Sequence, residues 1–367
     1  MNRNILHTEW SKGWGGQEIR IIAEASAFRK KGYNMMLACQ PCSTILNKAK
    51  ESGIPTILLK MRSGVDLFAA YGAWLICRKH NIHLVHTHSS VDAWCFGMAA
   101  RLAGIPVVRS RHLSAPISES LFSYCLYMKL ADRVITSGRA IRDVMIEQNK
   151  MQPERIVSIP AGIDEIKFSS FVDGSLAQKE FGLGAQDFVV GIVAILRSWK
   201  GHDYLIEAVE RVKPDIPNIK LLIIGNGPRQ RHIRSLIREK RLEDTILMTG
   251  FRDDVPSLLK TMDCFVLPST KNEATSQVIP QAMAMKIPVI SSSAGGLAEV
   301  VSDRETGLLV PPNDVNALRD AILWIYKNRK QAFDMAERAY IDCLQRFTFN
   351  KMIDDTERVY LDLLTGS

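Results

Sequence analysis

Short apolar runs alternate along this chain with longer stretches whose apolar residues recur every three or four positions. The first rhythm predicts strands and the second predicts helices. A strand over residues 4–8 runs into the loop Gly13-Trp14-Gly15-Gly16. The helical spacing of Ile21, Ile22, Ala25 and Phe28 over residues 17–31 then stops at Gly32. Strands follow over 33–38, 56–59, 84–87, from 106 and over 133–136, with helices over 66–80, 92–103 and 120–131. Strand then helix, repeated with short loops, implies a parallel sheet covered by helices on both faces.

Around residues 160–183 the rhythm fails amid Pro160, Gly162, Gly174 and Gly182, then restarts at the apolar run 189–196. Strands are predicted over 220–224, 246–249, 264–267, 288–291 and 308–310. Helices are predicted over 202–212, 229–240, 255–261, 276–285, 297–301 and 315–326, and throughout the tail 331–364. The expected organisation is an α/β chain of two doubly wound domains facing a cleft. A first domain spans 1–165, a linker 166–186, a second domain 187–345, and a helix over 346–367 closes the chain, free to pack back on the first domain. In open parallel sheets ligands bind beyond the carboxyl ends of the strands, so chemistry is sought directly after strands.

Composition agrees with this picture. At 367 residues, 46% hydrophobic and 23% charged, the chain is globular and long enough for two cores. The longest apolar stretch, residues 188–196, is far short of the roughly 20 residues of a spanning helix. His7 and Glu9 interrupt the N-terminus, leaving no signal-peptide core, so a cytoplasmic protein is expected. The net charge of +8 is uneven: residues 1–165 carry 21 Lys and Arg against 13 Asp and Glu, and residues 166–367 carry 26 of each. A basic first half points to an anionic partner, either an acceptor molecule or the inner face of a membrane. The basic residues are not interleaved with aromatics, which disfavours nucleic acid. Seven cysteines, among them the lone Cys39–Cys42 pair, lack the second pair a zinc site needs.

Candidate chemistry in the second half gathers at strand ends. The run after the strand at 189–196 is Arg197-Ser198-Trp199-Lys200-Gly201-His202, two cations beside a helix start, suited to a diphosphate. Gly225-Asn226-Gly227-Pro228 permits close backbone approach to a ligand, and Gly250-Phe251-Arg252 offers a turn against which a planar base could rest. The stretch from Pro268 to Ile290 is the most informative. Glu273 is a single acid in a loop of small residues, the amides of Thr275, Ser276 and Gln277 open a helix, Pro280 sits in its first turn, and Gln281 follows. In the first half, His86 and His88 share one side of a strand, as a hydrogen-bonding or metal-binding pair. Arg109-Ser110-Arg111-His112 ends the next strand and suits an anionic acceptor. With no Asp-x-Asp anywhere, neither a metal nor any other cofactor is expected.

In this order and spacing, Lys200-Gly201-His202, Ile223-Ile224-Gly225-Asn226-Gly227-Pro228, Gly250-Phe251, the acid-plus-helix block, Gly295-Gly296 and Thr306-Gly307-Leu308 resemble the family-four retaining glycosyltransferases of the GT-B fold. The resemblance implies two Rossmann-like domains and transfer of a sugar from a nucleotide diphosphate donor to a saccharide or lipid-linked acceptor, in lipopolysaccharide or surface-polysaccharide assembly. It implies Lys200, with Arg197, on the donor diphosphate and Glu273 on the transferred sugar. The amides of Ala274, Thr275 and Ser276 would hold its oxygens. It also implies Gly15 and Gly16 against the leaving group and His88 facing sugar or acceptor. The chain departs from the family at Ala274-Thr275-Ser276, where a Gly-rich stretch is usual, and at two further positions. Gln281 stands where a second acid normally bonds the ribose, and Ile195 stands where an Arg is frequent. Two rival readings are a sugar-nucleotide epimerase and a non-catalytic partner in a glycan-assembly complex.

Overall fold

A computed structural model describes residues 3–62, 64–112, 117–271, 273 and 275–366. The chain divides into two compact units, residues 1–161 with 352–367, and residues 162–351. The first unit holds a seven-stranded, all-parallel sheet in the order β3-β2-β1-β4-β5-β6-β7. Its strands are β1 (Asn4–Glu9), β2 (Asn34–Cys39), β3 (Thr56–Leu58), β4 (Leu84–Thr87), β5 (Val107–Arg111), β6 (Arg133–Thr136) and β7 (Ile156–Ser158). The second unit holds a six-stranded parallel sheet in the order β10-β9-β8-β11-β12-β13. These strands are β8 (Phe188–Val193), β9 (Ile219–Ile224), β10 (Ile246–Gly250), β11 (Cys264–Leu267), β12 (Val289–Ser292) and β13 (Leu308–Val310).

Both sheets are therefore doubly wound. The strand order reverses between β1 and β4 in the first unit and between β8 and β11 in the second, and successive loops diverge there to open a crevice. Helices cover both faces, so strands such as Phe188–Val193 are apolar at every position and buried throughout the sheet's centre. Polar caps fix where helices begin: Asp66 accepts from the Ala69 amide and Asp314 from the Ala317 amide.

The structure revises the expected map in four places. Helices Thr44–Glu51 and Arg139–Glu147, and strand β7, lie where the sequence pattern indicated nothing regular. The units meet at 161/162, and residues 166–186, expected as a linker, lie inside the second unit with a helix over Ser175–Glu180. Phe168 and Ala177 from that segment pack into the second unit's core, so apolar anchoring outweighs its glycine content. The tail forms Arg329–Arg346 and Phe349–Thr365, and residues from Met352 onward group with the first unit. The helix expected from 276 begins at Val278, so the amides of 275–277 precede it and Pro280 occupies its third position, where a missing N–H costs nothing.

Candidate functional site

In the second unit the switch point is built from the loops after β8 and β11. The Lys200 Nζ donates to Glu273 Oε1 at 2.6 Å, and Ser269 Oγ donates to Oε2 at 2.9 Å. Glu273 is only 8% exposed, so its charge is held by these two partners instead of by water. Two glycines allow the loops to close on it. Gly201 has φ +78°, and a Cβ there would lie 1.9 Å from the Pro268 carbonyl oxygen. Gly295 has φ +58°, and a Cβ there would lie 2.2 Å from the Glu273 carbonyl oxygen, to which Gly296 donates its amide at 2.9 Å. Only glycine meets both the left-handed backbone and the contact. Thus β8's loop, β11's loop and the 3-10 turn after β12 converge on one carboxylate–ammonium pair.

The other candidates of this unit fall around the same strand ends. Arg197 is exposed, its guanidinium carbon 5.0 Å from the centre of the Trp199 ring. Asn226 and Gly227 form the β9 turn, and the Leu196 amide donates to the Asn226 carbonyl at 3.0 Å. Gln281 is half-buried, and no hydrogen bond to its side-chain amide occurs among the described residues. Phe251 is exposed. Arg252 is committed elsewhere, bidentate to Glu180 at 2.6 and 2.8 Å and to Asp254 at 2.8 Å, pairs that raise its pKa still further. Thr275 and Ser276 lie just ahead of the helix, and Ala274 lies outside the described residues. Sequence reasoning passed over His202. It is buried with neither ring nitrogen hydrogen-bonded, and burial lowers its pKa to about 4.

In the first unit, a cavity of about 220 Å³ opens at the β1/β4 switch point. His88 and Ser89 just after β4, Arg109 and Arg111 from β5, His112 just after it, and Gln17, Trp10 and Tyr127 line it. The three residues proposed for an anionic acceptor therefore share one wall. Arg109 is 2% exposed, donates to the Ser89 carbonyl at 2.8 Å and to the Tyr127 hydroxyl at 3.3 Å, and has no carboxylate ion pair among the described residues. Arg111 donates to the same hydroxyl at 2.8 Å. Burial would raise the Tyr127 phenol, but the two guanidiniums outweigh it and hold the pKa below its usual value. Gly15 and Gly16 open helix Gly16–Lys30 with extended backbone at Gly15, and a Cβ at Gly16 would meet nothing within 4 Å.

A second cluster under this cavity was not legible in sequence. Glu9, at the end of β1, accepts from the Ser11 amide at 2.7 Å and the Ser89 hydroxyl at 2.5 Å, and also from Gln17. Asp92 accepts from Thr8 and from the amides of His88 and Ser89. Burial pushes both pKa values up, reinforced at Asp92 by the Glu9 charge and at Glu9 by the Glu18 charge. The Ser89-x-x-Asp92 spacing is a capping box and was the one available signal.

Beside it runs a chain of imidazoles. Ser110 Oγ lies 2.8 Å from His86 Nε2, and His86 Nδ1 lies 2.6 Å from the Tyr360 hydroxyl. That hydroxyl lies 3.1 Å from His7 Nε2, His7 Nδ1 lies 3.1 Å from His88 Nε2, and His88 Nδ1 lies 3.4 Å from His112 Nε2. One N–H or O–H per group, all pointing the same way, places one proton in every gap; adding a proton to a ring within the chain sets its new N–H against a neighbour's N–H or O–H donor. Nitrogens of His7, His86 and His88 lie within 4.8 Å of one another and could ligate a metal, but in this arrangement each ring is already hydrogen-bonded. Burial holds all four below the usual histidine range, His7 and His112 at about 3.

Folded-state pKa values below the unfolded 6.5 mean that the unfolded chain binds protons first. Stability is then complete above pH 6.5 and is lost as pH falls toward 3. Moving from pH 7 to 5.5 is expected to cost about 1 kcal/mol per buried histidine, offset in part by the raised Glu9–Asp92 pair, which works in the opposite sense. Thermal unfolding at the two pH values checks this; an unchanged or higher Tm at pH 5.5 contradicts it.

Comparison with known proteins follows the same division of the chain. Residues 14–166 match the Glycosyltransferase Family 4 model, and residues 176–342 match the model for glycosyl transferases group 1. A UDP-Gal:alpha-D-GlcNAc-diphosphoundecaprenol alpha-1,3-galactosyltransferase of Escherichia coli is 27% identical over 99% of this chain and 97% of its own. N-acetyl-alpha-D-glucosaminyl L-malate synthase of Bacillus anthracis is 25% identical over 82% of this chain and 80% of its own. Among solved structures, a glycosyltransferase of Rickettsia africae superposes with a TM-score of 0.92 at 22% identity, covering 100% of both chains. Anabaena HepE in complex with UDP-glucose gives 0.83 at 22% identity, covering 97% of this chain and 99% of its own.

Proposed function

The chain belongs to the family-four glycosyltransferases of the GT-B fold, and we propose that it moves a sugar, with retention of anomeric configuration, from a nucleoside diphosphate donor to a saccharide or lipid-linked acceptor of surface-glycan assembly. The observation that carries this reading is the Lys200–Glu273 pair at the switch point of the second sheet. As the bond between sugar and diphosphate breaks, negative charge grows on the phosphate and positive charge on the anomeric carbon. Lys200 and Arg197 supply cations for the first, and the Glu273 carboxylate supplies an anion for the second. The E. coli relative's donor and diphosphate-linked acceptor support a uridine nucleotide and a phosphorylated acceptor here. Arg109, Arg111 and His112 would receive that acceptor's anionic group. Because Arg109 is buried, these residues suit a ligand in the cavity and not a flat bilayer.

With basic side chains and loop amides stabilising the leaving group, transfer needs no divalent ion. Turnover is therefore expected to persist in excess EDTA. Complete loss, restored by Mg²⁺ or Mn²⁺, overturns the metal-free mechanism. The donor is identified by thermal shift against a panel of nucleotide sugars, since binding stabilises in proportion to RT ln(1 + [L]/Kd).

A further inference from the structure

Helix Leu67–Lys79 reverses the usual arrangement of a surface helix. Its small residues Ala69, Ala70, Ala73 and Cys77 face inward and are buried. Its large ones face out: Phe68 is 92% exposed, and Leu67, Tyr71 and Leu75 are exposed with it. Phe68, Tyr71 and Leu75 follow one another at helical spacing, so they form one stripe. No charged residue occurs between Leu67 and Cys77. A helix apolar all round belongs in a core or in contact with lipid, and this one is at the surface. The apolar ground continues beyond it. Gly64 sits against Trp94, where a Cβ would be 3.5 Å from the indole, and Trp94 meets Phe122 edge-on at 6.2 Å. Leu121 beside Phe122 is 86% exposed.

Charge completes the pattern. Lys60 and Arg62 precede the helix, and Arg78 and Lys79 end it. The one acid among residues 56–80, Asp66, is spent as the helix cap, accepting from the amides of Ala69 and Arg62. The surrounding residues 1–161 carry 21 Lys and Arg against 11 Asp and Glu. Aromatic and leucine side chains standing out between cationic borders are the composition of a helix lying in a bilayer interface. No helix among the described residues is long and apolar enough to cross a membrane. We propose that the face formed by helix Leu67–Lys79 with Trp94 and Leu121–Phe122 docks the protein on an anionic phospholipid surface. Phe68, Tyr71 and Leu121 enter the acyl boundary, and Lys60, Arg62, Arg78 and Lys79 meet the headgroups. The purpose of docking, access to a lipid-linked acceptor, rests on the function proposed above; the surface itself does not.

Flotation of the full chain with vesicles of phosphatidylcholine alone, or with phosphatidylglycerol added, tests the proposal. The wild type is expected to float with the anionic vesicles and at least tenfold less with the neutral ones. The double variant Phe68→Ser/Tyr71→Ser alters exposed positions only. It is expected to lose vesicle binding at least tenfold while keeping its Tm and its turnover on a water-soluble acceptor. Equal flotation of variant and wild type, or no flotation of the wild type, overturns it. So does sedimentation showing a dimer that the variant abolishes without any vesicle binding, since a second copy would then be the occupant. Turnover on the soluble acceptor reads the catalytic proposal separately, so failure of one is distinguishable from failure of the other.

Discussion

Replacing Glu273 with glutamine is expected to lower turnover on the order of 10²–10³-fold while changing donor affinity only a few-fold. The side chain keeps its shape and can still bond Ser269 and the Gly201 and Gly295 turns remain, so the loop architecture survives. What disappears is the charge. In the resting protein that charge is balanced by Lys200 at 2.6 Å. When a donor diphosphate claims the ammonium, the carboxylate is left to face the sugar, where positive charge grows only as the bond breaks. An interaction made chiefly in the transition state appears in kcat and not in binding. Donor Kd by calorimetry and kcat by product formation, measured on the same preparation, separate the two. Full turnover in Glu273→Gln contradicts the mechanism.

Lys200→Ala is expected to cut turnover on the order of 10²-fold or more, and unlike the first variant it also destabilises the fold. Removing the ammonium leaves a carboxylate only 8% exposed with Ser269 as its side-chain donor among the described residues, at a cost of roughly 1–3 kcal/mol. The double variant Lys200→Ala/Glu273→Ala removes both charges, so its Tm is expected to exceed that of Lys200→Ala while its activity stays low. This non-additivity in stability, without recovery in rate, distinguishes a pair that works on the donor from one that merely braces two loops. A Lys200→Ala protein that turns over at the wild-type rate removes the lysine from the chemistry.

The second unit's sheet was legible in the sequence because its strands are buried on both faces and read as continuous apolar runs, as in Phe188–Val193. The glycines at 201 and 295 were legible for a related reason, since tight strand-to-helix turns leave a mark in the residue type. The Lys200–Glu273 contact was not. The two residues are 73 positions apart, and the sequence singled out each of them without showing that they pair. Helix Arg139–Glu147 was missed although its apolar residues are well segregated, because only Ile141 and Met145 are buried and the run carries four charged residues. Tyr360 had no signal at all: it bonds His7 across 353 positions, and only the fold brings the tail to β1 and β4. Arg252 shows the reverse case. Its position after β10 suggested a ligand, yet Glu180 and Asp254, remote or ordinary in sequence, hold the guanidinium.

Group transfer with retention is tested directly by one measurement. The purified chain is incubated with the nucleotide sugar that stabilises it and with a panel of diphosphate-linked and free saccharide acceptors. Released nucleoside diphosphate is quantified, and the product's anomeric configuration is read by NMR. The expected result is one nucleoside diphosphate per elongated acceptor, with the new linkage keeping the donor's configuration. Nucleoside diphosphate and an altered free sugar formed without any acceptor, an inverted linkage, or no turnover of any donor that binds would contradict it.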